Sequence, residues 1–204
     1  MRFMLLATLA LASAIPVARA LPTAAQIAAA FHELDTTRNG ALNAAEWERA
    51  SFALFRAADK NNNDVIDADE LKGSTIAQDT FLRIDADRDG RLSIGEYMEL
   101  RREIFAVADI DHDDYVTFVE YELLIVFEEV GWNDRNQSAR IEVTELRAAL
   151  TKAFERLDVD RDGQLDKEEA GYMQPERFDR FDKNKDGRLG LEDLVAGYRS
   201  EFGA

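Results

Sequence analysis

Apolar residues recur along most of this chain at the spacing of an α-helix. Between positions 46 and 59 they fall at Trp47, Ala50, Leu54, Phe55 and Ala58, with no Gly or Pro among them. The same stripe returns as Tyr97, Leu100, Ile104, Phe105 and Ala108, and again as Leu146, Ala149, Leu150, Ala153, Phe154 and Leu157. Such stripes are the inward faces of surface helices. A further helix is expected over residues 24–34. Short polar segments rich in Asp and Asn separate the stripes, which makes the expected fold class all-α.

The first twenty residues follow another pattern. Arg2 precedes an uncharged run from Phe3 to Val17, and Ala18-Arg19-Ala20 puts small residues where a signal peptidase reads. Residues 1–20 are therefore expected to be a secretory signal peptide, with the mature chain starting near Leu21 in the periplasm or outside the cell. The apolar run is shorter than the roughly 20 residues that span a bilayer, and Pro16 interrupts it. No membrane span is expected in the mature chain.

The polar segments repeat. They begin at Asp35, Asp59, Asp85, Asp109, Asp134, Asp158 and Asp182, at intervals of 24, 26, 24, 25, 24 and 24 residues. The third runs from Asp85 through Asp87, Asp89, Gly90 and Ser93 to Glu96. The sixth runs from Asp158 through Asp160, Asp162, Gly163 and Asp166 to Glu169. Both match the twelve-residue calcium loop in full. The chain thus resembles the EF-hand superfamily, as a tandem, bacterial-type multi-EF-hand protein with seven loops. The resemblance implies helix–loop–helix repeats with short β-bridges between paired loops, and Ca²⁺ as the bound ion.

Ca²⁺ takes about six to eight hard oxygens, which one short loop supplies by wrapping around the ion. Positions 1, 3 and 5 offer side chains, position 7 a carbonyl, position 9 a side chain or a water, and position 12 a two-oxygen carboxylate. Position 6 turns with positive φ, which favours Gly. Position 8 faces the core and pairs with a neighbouring loop. It is Leu42, Ile66, Leu92, Val116, Ile141, Leu165 and Leu189, apolar in all seven loops.

Loop 3 therefore offers Asp85, Asp87, Asp89, Arg91 (carbonyl), Ser93 and Glu96, and loop 6 offers Asp158, Asp160, Asp162, Gln164 (carbonyl), Asp166 and Glu169. Loop 4 offers Asp109, Asp111, Asp113, Tyr115 (carbonyl), Thr117 and Glu120, with Asp114 in place of Gly. Loop 2 makes the same exchange at Asp64 and keeps Asp59, Asn61, Asn63, Val65 (carbonyl), Asp67 and Glu70. Asp tolerates the left-handed turn better than most residues.

Loop 7 offers Asp182, Asn184, Asp186 and Arg188 (carbonyl), but ends on Asp193, whose shorter side chain favours a one-oxygen grip and admits Mg²⁺. Loop 1 offers Asp35, Thr37, Asn39, Ala41 (carbonyl), Asn43 and Glu46, of which two are charged. Loop 5 offers Asp134, Asn136, Ser138, Glu142 and Glu145, but Ala139 stands at the turn, so a hand that pairs without metal is expected there. Three to six bound ions follow.

The chain is expected to divide into residues 21–130, with hands 1–4, and residues 131–204, with hands 5–7. Connectors after loops 1, 3 and 5 read as unbroken helices, which hold their two loops at opposite ends. Those after loops 2, 4 and 6 carry Gly73-Ser74, Gly131, and Gly171 with Pro175; Thr75 and Gln78 fit a capping box at a restart. Loops are expected to pair across the breaks: 2 with 3, 4 with 5, 6 with 7, leaving loop 1 unpaired or capped by the first helix. The rival order pairs 1 with 2, 3 with 4 and 5 with 6.

Composition narrows function. The chain has 41 Asp+Glu, 25 Lys+Arg, a formal charge of −16 and no Cys. Without residues 1–20, which hold two Arg and no acid, the charge is −18. That balance argues against nucleic acid, which selects a basic face. The missing Cys excludes thiolate metal sites and cysteine nucleophiles. His32 lies in the first helix, His112 at an outward loop position, and no serine sits in a nucleophile-elbow motif, so no enzyme is expected. Two classes remain: an exported calcium buffer or sensor, or a scaffold that calcium rigidifies for a protein partner in the envelope. Sensors of this kind open Met-rich grooves, and the mature chain holds only Met98 and Met173. Trp47, Phe127 and Trp132 are the aromatics left to line a dedicated groove.

Overall fold

The computed structural model describes residues 21–71, 85–130 and 143–202. Its elements, in chain order, are α1 (Ala24–Leu34), β1 (Ala41–Asn43), α2 (Ala44–Ala58), β2 (Val65–Ile66), α3 (Ala68–Leu71), β3 (Leu92–Ser93), α4 (Ile94–Ala108), β4 (Tyr115–Thr117), α5 (Phe118–Val130), α6 (Val143–Leu157), α7 (Pro175–Phe181) and α8 (Leu191–Glu201). The fold is all-α helix–loop–helix repeats joined by short antiparallel strands.

Each boundary has a local cause. Thr23 caps α1 by accepting from the Gln26 amide, while the Gln26 side chain accepts from the Thr23 amide. Asn43 with Glu46 and Ser93 with Glu96 make the same reciprocal pair at the starts of α2 and α4. α2, α4 and α6 run 15 residues each, as the unbroken stripes predict. After loop 6 the chain makes only turns until Pro175 opens α7, where its missing N–H costs nothing. The carbonyl of Gly171 in that turn accepts from the Ala24 amide at 2.9 Å, tying the start of α1 to the C-terminal hands. Thr75, Gln78 and Gly131 lie outside the described residues.

The loops pair through position 8. Leu42 opposes Val116, Ile66 opposes Leu92, and Leu165 bridges Leu189, all antiparallel. These six side chains are fully buried. Pairs 2–3 and 6–7 are as expected. Loop 1, however, is neither unpaired nor merely capped: it pairs with loop 4, which therefore does not take loop 5 as its expected mate. The cause lies in α2 and α4. Each holds its two loops at opposite ends, and the two helices pack along one another. Once loops 2 and 3 join at one end, loops 1 and 4 meet at the other. Trp47 Nε1 donates to the Arg101 carbonyl at 2.7 Å, and Arg101 Nε donates to Ser51 Oγ at 2.9 Å, locking the two helices in register.

A single large core gathers Ile27 and Phe31 from α1, Trp47 from α2, Ile104 from α4, Leu123 to Phe127 from α5, Leu146 and Leu150 from α6, Phe178 from α7, and Leu194 and Tyr198 from α8. A small satellite (Phe55, Ala58, Ile66, Leu92 and Tyr97) sits under the 2–3 pair. Trp47 and Phe127 are buried in the core; Trp132 is outside the described residues.

Candidate metal centres

Among the described residues, each entering helix ends where its loop begins. The amide of loop position 1 donates to a Phe carbonyl four residues back: Asp35 to Phe31, Asp59 to Phe55, Asp109 to Phe105, Asp158 to Phe154, Asp182 to Phe178. The Asp side chain then folds the loop over itself. In loop 3, Asp85 Oδ1 accepts from the Asp89 amide at 3.1 Å and Oδ2 from the Gly90 amide at 3.0 Å. The same two bonds recur on Asp35, Asp59, Asp109, Asp158 and Asp182, at 2.8 to 3.2 Å.

The exiting helix closes the ring. In every described loop but loop 6, which leads into turns, position 12 is the third residue of that helix, so its carboxylate points back into the loop. Glu96 accepts from the Ala86 amide at 2.8 Å with one oxygen and from the Ser93 amide at 2.9 Å with the other. Glu46, Glu70, Glu120 and Glu169 likewise span both ends of their loops. Asp193 receives the Gly190 amide at 2.9 Å through Oδ2.

Among the described residues, three groups of acidic side chains each bring one oxygen per residue within 4.8 Å of the others: Asp85, Asp87 and Glu96; Asp109, Asp111 and Glu120; Asp158, Asp160 and Glu169. They belong to loops 3, 4 and 6. Hard oxygens clustered around a common point fit a divalent cation of the Ca²⁺ type. Loops 1, 2 and 7 adopt the same backbone with fewer converging acids. Of loop 5, residues 134–142 lie outside the described residues, and Glu145 is buried at the start of α6.

A family model described as EF hand matches residues 27–52, 77–100, 151–169 and 176–196, which contain loops 1, 3, 6 and 7. The chain is an EF-hand protein. No curated protein matches it. Calcium binding follows from the EF hands.

Electrostatics set the EF-hand loops apart. Burial tends to raise Glu46, but the amides of Thr37 and Asn43 and the hydroxyls of Thr36 and Thr37 outweigh it and hold the carboxyl below its ordinary range. Glu96 is likewise held low: burial is outweighed by the amide and hydroxyl of Ser93 and the amides of Ala86 and Asp87. In loop 4 the balance reverses. Burial pushes Glu120 up despite its bonds from Thr117 and Ile110, and Asp111 is raised by burial and by the charges of Asp113 and Asp109.

Two arginines reach ligand carboxylates in ways the residue pattern did not announce. Arg56 Nη1 contacts Asp59 Oδ2 at 3.1 Å and its Nη2 contacts Asp64 at 2.5 Å, so a guanidinium leans on the first ligand of loop 2. The three-residue spacing of Arg56 and Asp59 on a helix end was the available signal. Arg188, expected to offer only its carbonyl, also sends its guanidinium across to Asp162 in the paired loop 6. Nothing in the spacing of single loops points to that contact, because it exists only once the loops pair.

Proposed function

We propose that this EF-hand protein is an exported calcium buffer of the cell envelope. The observation carrying the buffer reading is the convergence of three acidic triads in loops 3, 4 and 6. The scarcity of methionine after residue 20, Met98 and Met173 alone, favours buffering over target-gripping, since sensors of the calmodulin type open a Met-rich groove. Loop 7, closed by the shorter Asp193, is a weakened calcium site and the one that admits Mg²⁺. Export is supported by the residue pattern of positions 1–20; N-terminal sequencing of secreted protein should begin near Leu21.

Calorimetric calcium titration of the mature chain tests the reading, with three to six ions expected. Glu169→Gln removes half of the position-12 grip and should delete one of the tighter ions. An unaltered stoichiometry would mean that loop 6 is not a site. Binding of a hydrophobic dye that rises steeply with calcium would replace the buffer by a sensor.

A further inference from the structure

One buried carboxylate outside the loops touches the flanks of three of them. Glu122 lies in the first turn and a half of α5, two residues past Glu120, the closing ligand of loop 4. Its side chain is fully buried, and Oε1 accepts from the Arg177 guanidinium, itself 7% exposed. Arg177 is on α7, five residues before Asp182, the first ligand of loop 7. Tyr198 on α8, five residues past Asp193, donates its hydroxyl to the same Glu122 oxygen at 3.1 Å. The Tyr198 and Tyr172 hydroxyls lie 3.4 Å apart, and Tyr172 follows Glu169, which closes loop 6. Arg177 also lies over the Phe118 ring, 5.6 Å from its centroid, at the first residue of α5.

Stability alone gives no reason for such an arrangement. A buried ion pair rarely outperforms apolar residues of the same volume, because desolvation opposes the attraction. Here Glu122 Oε2 and Arg177 Nε are also buried with no hydrogen-bond partner. What the pair does is fix geometry: the exit of loop 4, the entry and exit of loop 7 and, through Tyr172, the exit of loop 6 meet at one oxygen. When calcium draws Glu120 inward, the start of α5 cannot shift without moving Glu122 and the helices fastened to it.

We infer that Glu122 and Arg177 form a latch that couples calcium filling of loop 4 to calcium affinity at loops 6 and 7. This rests on those loops binding calcium. Both are positioning residues: neither would touch the ion. Coupling is reciprocal, so filling loops 6 and 7 tightens loop 4 by the same factor.

The test follows the amide resonances of Gly163 and Gly187, which donate to Asp158 and Asp182 and report loops 6 and 7 separately. The full mature chain is titrated with calcium, with and without Glu120→Gln. In the native background that substitution should weaken loops 6 and 7 by about fivefold or more. In a chain carrying Glu122→Leu with Arg177→Met, which removes both charges together and so leaves neither stranded, Glu120→Gln should leave those affinities unchanged. Glu122→Gln, which keeps shape and the Tyr198 contact, should give a factor between the two. The same factor in all three backgrounds, or none in the native one, overturns the latch. Resonances that never respond to calcium would overturn the calcium reading of loops 6 and 7 and the latch with it.

Discussion

At loop position 4 every described loop places a non-glycine residue in the left-handed region: Arg38, Asn62, Arg88, His112, Arg161 and Lys185, with φ from 58° to 63°. Position 6 does the same, and Asp64 and Asp114 stand there at 65° and 67° where four other loops use Gly. Each such residue costs on the order of 1 kcal/mol, held in place by the amide bonds that fold the loop onto its first Asp. The tolerance of Asp at position 6 was legible in the residues; the turn at position 4 was not, because an outward side chain leaves no compositional mark. The row of loop carboxylates was legible in the described loops, since it is a one-dimensional spacing. Its protonation was not, since that depends on burial. Glu120 is pushed up and Glu96 held down. A carboxylate must be ionised to grip metal, so calcium at loop 4 has a proton to displace in a range where loop 3 has none. As pH falls, loop 4 should therefore lose affinity before loop 3. Titrations read at the Asp114 and Gly90 amides check this; parallel losses would refute it.

Helices and strands were nearly all legible, because stripes, caps and breakers are local. α2, α4 and α6 stand where unbroken stripes predict them, and α7 starts on Pro175. What the pattern missed was the partner of loop 1. The rule that an unbroken helix parts its loops was correct, but it had to be applied to α2 and α4 together before it placed loop 1 beside loop 4. Helix packing also gives meaning to one glycine. Gly197 on α8 faces the Phe181 ring of α7, and a Cβ built there would overlap three ring carbons. Gly197→Ala should destabilise the protein by about 1–3 kcal/mol, although Ala is the better helix former. Thermal melting in saturating calcium reads the effect; an unchanged or higher midpoint would show that α7 and α8 have room to part.

For the molecule as a whole, 41 acids against 25 bases place much of the negative charge in the six described loops, where carboxylates repel one another. The core runs from α1 to α8, so strain in one loop is felt in others. Metal binding and folding should therefore be linked. Melting of residues 21–204 should move sharply upward from chelator to millimolar calcium, and a midpoint that stays put would break the link. Among the described residues no helix is long and apolar enough to cross a membrane.

Leu42 opposes Val116, a residue 74 positions further along the chain, and the whole 2–3 pair is enclosed between them. A polypeptide emerges from the ribosome N-terminus first, and distant contacts form slowly because a long loop has to close. The opening hand is consequently born without its mate and stays single until the fourth has been made. Translated ahead of the three hands that follow it, hand 1 is completed only with the last of them.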